Sequence, residues 1–429
     1  MDARESVVAG RPRYPVPRNP PFTALPATEA AWYPGPMPHA TSSNATAADF
    51  RALRDREFPH VARAPWLNAA SMGPLPERAR VAVEAYNRRR SDIHALRGAD
   101  FEPVLARARR AAARLVGAEA DEIALLPNTS HGINLAALSL PLEPGRRIVV
   151  PDREFPANVY PWLAQRQVRG ARVEVVPADA RGNPDEARLL EELARGDVGI
   201  LAISAVQFTS GWVADLDALG RACRANGALL VVDGIQAVGQ LPVDVRAWNV
   251  DVLACGCHKW LCSPFGTGFT YVRRGLVDRM EPRVVGWTAL SASADLERVL
   301  DYAPGWVDGA RRFEVATQPW QDYAAMSECA ELLLEAGPAR IQAHVRALLD
   351  PLAAWLAERE IAVVSDLSPE RRSGVFAFAP ADAAGAFRAL RGAEVGCVLR
   401  EGAVRLSPHL YNQPEDIARV MDVLDGWMR

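Results

Sequence analysis

Seven short apolar runs, spaced 20 to 30 residues apart, constrain this chain more than any other feature. They are IALLP (123–127), RIVVP (147–151), RVEVVP (172–177), VGILAISAV (198–206), ALLVVDG (228–234), DVLACGC (251–257) and GFTYV (268–272). Segments of helical periodicity fill the gaps, among them INLAALSL, PDEARLLEELARG and DLDALGRACRANG. Strands that are apolar nearly throughout, rather than at alternate positions, are buried on both faces. The pattern predicts an α/β fold of three layers, a mostly parallel seven-stranded sheet covered by helices on each side. Before it, PWLNAASMGPLP (65–76) reads as a short buried strand and a turn, and a long Arg-rich amphipathic helix runs to about Val116. After about residue 325 come a long helix and a small α+β unit with strands at 374–380, 395–400 and 403–407, then a last helix from Pro414.

This gives three parts: a Pro-rich leader over 1–48, a large domain over 49–325 and a small C-terminal domain over 326–429. Nine prolines precede residue 40 and periodic apolar positions are few, so the leader is expected to be disordered or an extended arm. With 52 acidic against 49 basic residues, the net charge of −3 gives no reason to expect nucleic acid or an anionic membrane as a partner. No apolar stretch approaches the ~20 residues of a membrane helix, and the N-terminus has no apolar core of a secretory signal. The six cysteines have no framework spacing, which points to reduced thiols and a cytoplasmic setting.

Lys259 is the only lysine in the chain; the other basic residues are arginines. A guanidinium stays charged, whereas a buried ammonium can be tuned to a neutral amine that attacks a carbonyl. The lone lysine is therefore a candidate Schiff-base nucleophile. It follows the run DVLACGC and precedes a Gly-rich turn, at a strand end where α/β folds present reactive groups.

Other strand ends supply complementary chemistry. Asn128-Thr129-Ser130-His131-Gly132 opens a helix with hydroxyls and free N–H groups, suited to a phosphate or to a simple N-cap. Asp233 ends a run of buried aliphatics, where a carboxylate needs a cationic or N–H partner or caps the following turn. A phosphate anchor, a counter-charge for a ring nitrogen and an amine for an aldehyde are the three contacts of pyridoxal phosphate.

The motifs NTSHGINLAAL (128–138), EFPANVYPW (154–162), ISAVQFTSGWVADL (203–216), VVDGIQAVGQLPVDV (231–245), CHKWLCSPFGTGF (257–269), RRFEVATQP (311–319) and AVRLSPHLYNQPEDI (403–417) resemble the class V aminotransferase family, the cysteine desulfurase and isopenicillin N epimerase-like branch of fold-type I pyridoxal phosphate enzymes. The resemblance covers everything after the leader. It implies that Thr129 and Ser130 hold the phosphate with His258 beside it, that Asp233 pairs with the pyridine nitrogen and that Gln236 touches the ring hydroxyl. Phe155 and Gln207 join the cofactor-binding set, and Lys259 forms the Schiff base. Arg405 matches the clamp for a substrate α-carboxylate, Asn68 lies on the segment 49–75 that borders the pocket, and Thr317 matches a residue reaching a neighbouring subunit's phosphate in a homodimer with shared sites.

The chain departs from the desulfurase pattern in three places. Phe155 stands where desulfurases stack a histidine; it can stack but cannot move a proton. Gly256 replaces a frequent phosphate-binding serine. Only residues 401–404 separate Arg400 from Arg405, leaving no loop for a catalytic cysteine, and Cys397 reads as a buried structural thiol. The expected activity is aminotransferase-like chemistry at the α-carbon of an amino acid, with epimerisation or a lyase reaction as alternatives. A degenerate family member, or a metal module on Cys255, Cys257, His258 and Cys262, are the non-enzyme alternatives; no metal site is expected, since the ligand spacing is poor.

Overall fold

The structure, a computed structural model, describes residues 47–294, 297, 300, 302 and 304–429; the leader falls almost wholly outside them. All seven apolar runs are strands: β1 (Ile123–Leu125), β2 (Arg147–Pro151), β3 (Arg172–Val176), β4 (Val198–Ser204), β5 (Leu229–Asp233), β6 (Val252–Gly256) and β7 (Gly268–Val272). They form one sheet in the order β1-β7-β6-β5-β4-β2-β3. Only β7 runs antiparallel to its neighbours, β1 and β6.

The helices are α1 (Ala47–Glu57), α2 (Glu77–Ser91), α3 (Phe101–Val116), α4 (Thr129–Ser139), α5 (Tyr160–Val168), α6 (Glu186–Ala194), α7 (Leu216–Ala225), α8 (Arg274–Val277), α9 (Trp320–Ala336), α10 (Pro338–Glu358), α11 (Ala383–Gly392) and α12 (Pro414–Met428). Strand alternation sorts the core into two layers. Leu125, Val149, Leu201, Ile203, Leu230, Val232 and Leu253 pack with α3, α6, α7 and α9. Ala124, Ile148, Val150, Ala202, Val231, Val252 and Ala254 pack with α4, α5 and α8 on the other face. At about 1.5–3 kcal/mol for each large aliphatic side chain removed from water, this double burial fixes the register, since a slip of one residue would exchange the two faces.

Two helical segments are shorter than their patterns predict. The stretch before Val116 breaks into α2 and α3, because Pro103 lacks an N–H and is accommodated only in a first helical turn. The helix after residue 320 breaks at Gly337, whose φ of +83° is followed by Pro338 as the first residue of α10.

A second, antiparallel sheet has the order β10-β11-β9-β8, with β8 (Ala362–Val363), β9 (Phe376–Ala379), β10 (Val398–Arg400) and β11 (Ala403–Leu406). β8, two residues long and partly exposed, lies in the short apolar run IAVV (361–364), which the sequence reading passes over. The segment 65–73 runs along this sheet through parallel bridges Trp66–Gly396 and Asn68–Ser407. It then reaches the large sheet, where the Gly73 N–H donates to the His258 carbonyl at 2.9 Å. No helix among the described residues is long and apolar enough to cross a membrane.

The edge strand β1 is pinned by a buried ion pair. Arg109 of α3 binds Glu314 through Nε (3.0 Å) and Nη2 (2.7 Å), and Glu314 also accepts the Leu125 N–H at 2.9 Å. This sets the start of α4, which lies tight against the sheet: a Cβ on Gly132 would sit 2.3 Å from Thr270 Oγ1 and 2.7 Å from Ala254 Cβ. Gly132→Ala gains about 1 kcal/mol of helix propensity but forces a short-range overlap costing about 1–3 kcal/mol. The expected outcome is a lower urea midpoint; an unchanged or raised midpoint would contradict this packing.

Candidate active site

Parallel strands bring their carboxyl ends to one edge of the sheet. There Asp233, the last residue of β5, lies level with Ser204 of β4 and Ala254 of β6. Its carboxylate is 2% exposed and accepts the Ile235 N–H at 3.0 Å. Burial pushes it up to about 6, and the Ile235 amide and the Lys259 charge pull it back.

Lys259 follows β6 by three residues. Burial pulls its ammonium down to about 8, with Asp233 opposing and Arg405 adding to the shift. Its Nζ lies 5.5 Å from the centroid of Phe155, which is 40% exposed and meets Phe208 edge-to-face at 5.3 Å.

Arg405 enters from β11. Its Nη1 donates to the Phe208 carbonyl at 2.6 Å and its Nη2 to Ser71 Oγ at 2.9 Å, while its buried Nε has no partner. Burial, and then Arg400, lower it to about 10. Among the described residues no carboxylate pairs with it. Asn68, on the segment that carries Ser71, holds Oδ1 buried and unpartnered.

The α4 terminus completes the cluster. Asn128 Oδ1 caps the His131 N–H at 2.9 Å, and Thr129 Oγ1 accepts the Gly256 N–H at 2.8 Å. The Thr129 hydroxyl proton therefore remains to be donated, near the exposed Ser130 and first-turn N–H groups that have no intrahelical partner. His258 stacks on Phe265 at 5.3 Å, and burial lowers its pKa, with Lys259 adding to the effect.

Three predicted residues stand differently. Gln236 commits its carboxamide to the protein: Oε1 accepts Trp260 Nε1 at 2.8 Å and Nε2 donates to the Ala70 carbonyl at 3.1 Å. It ties the Lys259 loop to segment 65–73. Gln207 binds the Arg153 carbonyl (3.0 Å) and the Phe208 N–H (3.1 Å), holding the loop that bears Phe208. Thr317 is exposed on the loop before α9 and joins none of these contacts.

Glu154 is a buried acid that the sequence reading passes over. It accepts the Ser204 N–H at 2.9 Å, the Ser204 hydroxyl and Asn158 Nδ2 at 3.1 Å. Burial pushes it up to about 7, and Asp233 adds to the rise. Its position beside Phe155 in the EFPAN motif was the one available signal. All six cysteines are free and buried, and burial pushes Cys397 up to about 11. Among the described residues no group of three or more His, Cys, Asp or Glu is arranged to hold a metal.

The profile of the aminotransferase class-V family matches residues 80–420. The chain belongs to this family. It is similar to YcbU, an uncharacterized aminotransferase of Bacillus subtilis (28% identical, covering 85% of this chain and 95% of that protein). It is also similar to a probable cysteine desulfurase of Methanothermobacter thermautotrophicus (30%, covering 75% and 83%) and to the isopenicillin N epimerase of Streptomyces clavuligerus (29%, covering 84% and 94%). Among solved structures, the apo cysteine desulfurase of Thermococcus onnurineus shares the fold with a TM-score of 0.78 at 22% identity, covering 87% of this chain and 97% of that one.

The family is pyridoxal phosphate-dependent, and the site fits that cofactor. A buried carboxylate with no salt bridge, a depressed lysine and a hydroxyl whose proton is uncommitted at a helix N-terminus meet at one sheet edge. With one lysine, amine-selective labelling reads a single side chain once the N-terminal amine is separated by peptide mass. The labelling rate of Lys259 should rise with a midpoint near pH 8. In Asp233→Asn the midpoint should fall further, because the charge that favours the ammonium is gone. A midpoint near 10.5 in the native chain would contradict the buried environment.

Proposed function

We propose that this class V enzyme acts at the α-carbon of an amino acid, with Lys259 as both cofactor attachment point and base. The observation that carries this reading is that the only lysine of the chain is buried, lowered to about 8 and flanked by Asp233 and Arg405. When bound, pyridoxal phosphate supplies an aldehyde for an amine and a ring that accepts electrons from the α-carbon.

The chain's own residues divide the remaining work. Thr129, Ser130 and the α4 terminus hold the phosphate, with His258 alongside. Asp233, ionised, would favour a proton on the ring nitrogen, and Phe155, with its centroid 5.5 Å from Lys259 Nζ, would offer a face to the ring. Arg405 and Asn68 receive the substrate carboxylate and amine region, each through a buried polar atom that the protein leaves unpaired. Lys259 as a neutral amine takes the α-proton. Gln236 and Gln207 act as supports, one locking the Lys259 loop and the other the Phe208 loop.

An aminotransferase-like outcome, with epimerisation beside it, is favoured over persulfide chemistry. Glu401 and Gly402 alone join β10 to β11, both with positive φ (45° and 79°), in a tight hairpin that leaves no mobile loop. Cys397, just before β10, is buried with a raised pKa, so little thiolate forms. We further assign the four-stranded sheet with α11 and α12 to the small domain over 326–429. The functional unit is a cytoplasmic homodimer in which the exposed Thr317 reaches the other chain's phosphate.

Borohydride reduction of the protein incubated with pyridoxal phosphate tests the assignment. Intact mass should show one reduced cofactor per chain, and peptide mapping should place it on Lys259. Lys259→Arg should remove the adduct. Absence of an adduct from the native chain would overturn the reading.

A further inference from the structure

Arg405 is not the only cation on its face of the small sheet. In the β10–β11 register Val398 lies opposite Arg405, and Arg400 lies opposite Ala403. Residues directly opposite share a face, as do residues two apart on one strand. Arg400 therefore projects from the same face as Arg405, as its diagonal neighbour, with Cα atoms typically about 7–8 Å apart. That face looks toward the reactive lysine, because Arg405 from it contacts Phe208 and Ser71 at the pocket wall.

Arg400 is also electrostatically coupled to the pocket: its charge disfavours the protonated forms of both Lys259 and Arg405. Yet the tight turn at 401–402 fixes it there. The adjacent acid, Glu401, makes no ion pair with it, and neither arginine has a carboxylate partner among the described residues. Arg405 is 2% exposed whereas Arg400 is exposed. One anionic group on the substrate answers the inner cation and leaves the outer one unmatched. Two like charges on one face of the small sheet, neither paired with a protein carboxylate among the described residues, suit a ligand with two anionic ends.

We propose that Arg400 and Arg405 select an amino acid with an acidic side chain, of aspartate or glutamate length, with the α-carboxylate on Arg405 and the distal carboxylate on Arg400. The inference rests on the reading of Arg405 as the α-carboxylate site. It makes Arg400 a specificity residue with no part in the bond-breaking step.

Competing carboxylates test this apart from turnover. Succinate and glutarate, against propionate and butyrate, are titrated into the full chain with and without pyridoxal phosphate, and binding is read from thermal shift. The dicarboxylates should bind about tenfold more tightly, the gain expected from one added charge-assisted pair. Arg400→Gln should bring them to the level of the monocarboxylates, while Arg400→Lys should keep part of the preference. Equal binding of both classes, or an Arg400→Gln effect equal on both, would overturn the proposal. The mass of the borohydride-reduced protein is measured on the same samples. An adduct on Lys259 without dicarboxylate preference defeats this inference alone, and loss of the adduct defeats the underlying reading.

Discussion

Three buried charges that form no direct salt bridge, Asp233, Lys259 and Arg405, organise this molecule, with the Asp233–Lys259 attraction offsetting only part of their burial. In an ordinary core each would be expelled, neutralised or paired, since desolvation of an unpaired ion costs several kcal/mol. Here each is held by elements with no freedom to release it. Asp233 ends a central strand, Lys259 sits in the loop after the next one, and Arg405 projects from a second sheet locked against segment 65–73. The shifts to about 6, about 8 and about 10 all have burial as their first cause. The folded chain thus carries an unfavourable arrangement that a ligand with complementary charges relieves, as is common where stability is given up for function.

The surrounding contacts hold that arrangement in place. Trp260, next to Lys259, donates to Gln236, and its carbonyl accepts from His409 Nε2 at 2.7 Å. Gln236 in turn holds Ala70, and the Ala70 N–H donates to Ser407 Oγ at 3.0 Å. These links run from the reactive loop to the strand end that carries Arg405 and back through segment 65–73. The backbone crosses the Lys259 loop so closely at Gly73 that an added Cβ would lie 2.2 Å from the Lys259 carbonyl. Position of the amine relative to the guanidinium is therefore a property of the whole closed loop of contacts.

Much of this was readable in the sequence. Short apolar runs regularly spaced between helical segments made all seven strands of the large sheet legible, although the edge strand β3, RVEVV, is only partly buried. Lys259 stood out as the only lysine of the chain, and Asp233 because a carboxylate is costly at the end of a buried strand. The small edge strand β8 was passed over, since the run IAVV (361–364) is short, follows a long helix, and pairs through only two partly exposed residues. The breaks at Gly337 and before α3 follow from Gly and Pro chemistry that helical periodicity masks. The carboxamides of Gln236 and Gln207 take partners from remote or irregular backbone, Ala70 lying 166 residues from Gln236, and no spacing rule foretells such a pairing. Glu154 was overshadowed by Phe155, although its burial against Ser204 brings a second acid near Asp233.

Aminotransfer, epimerisation and elimination share one event, removal of the α-proton, and Lys259 is the group assigned to it. Exchange of the α-hydrogen of aspartate or glutamate for deuterium, followed by proton NMR in D2O, measures that event whatever product follows. The protein loaded with pyridoxal phosphate should wash deuterium into the α-position, and Lys259→Arg should not. Failure of exchange in a native protein whose lysine carries the cofactor would contradict the account of this site.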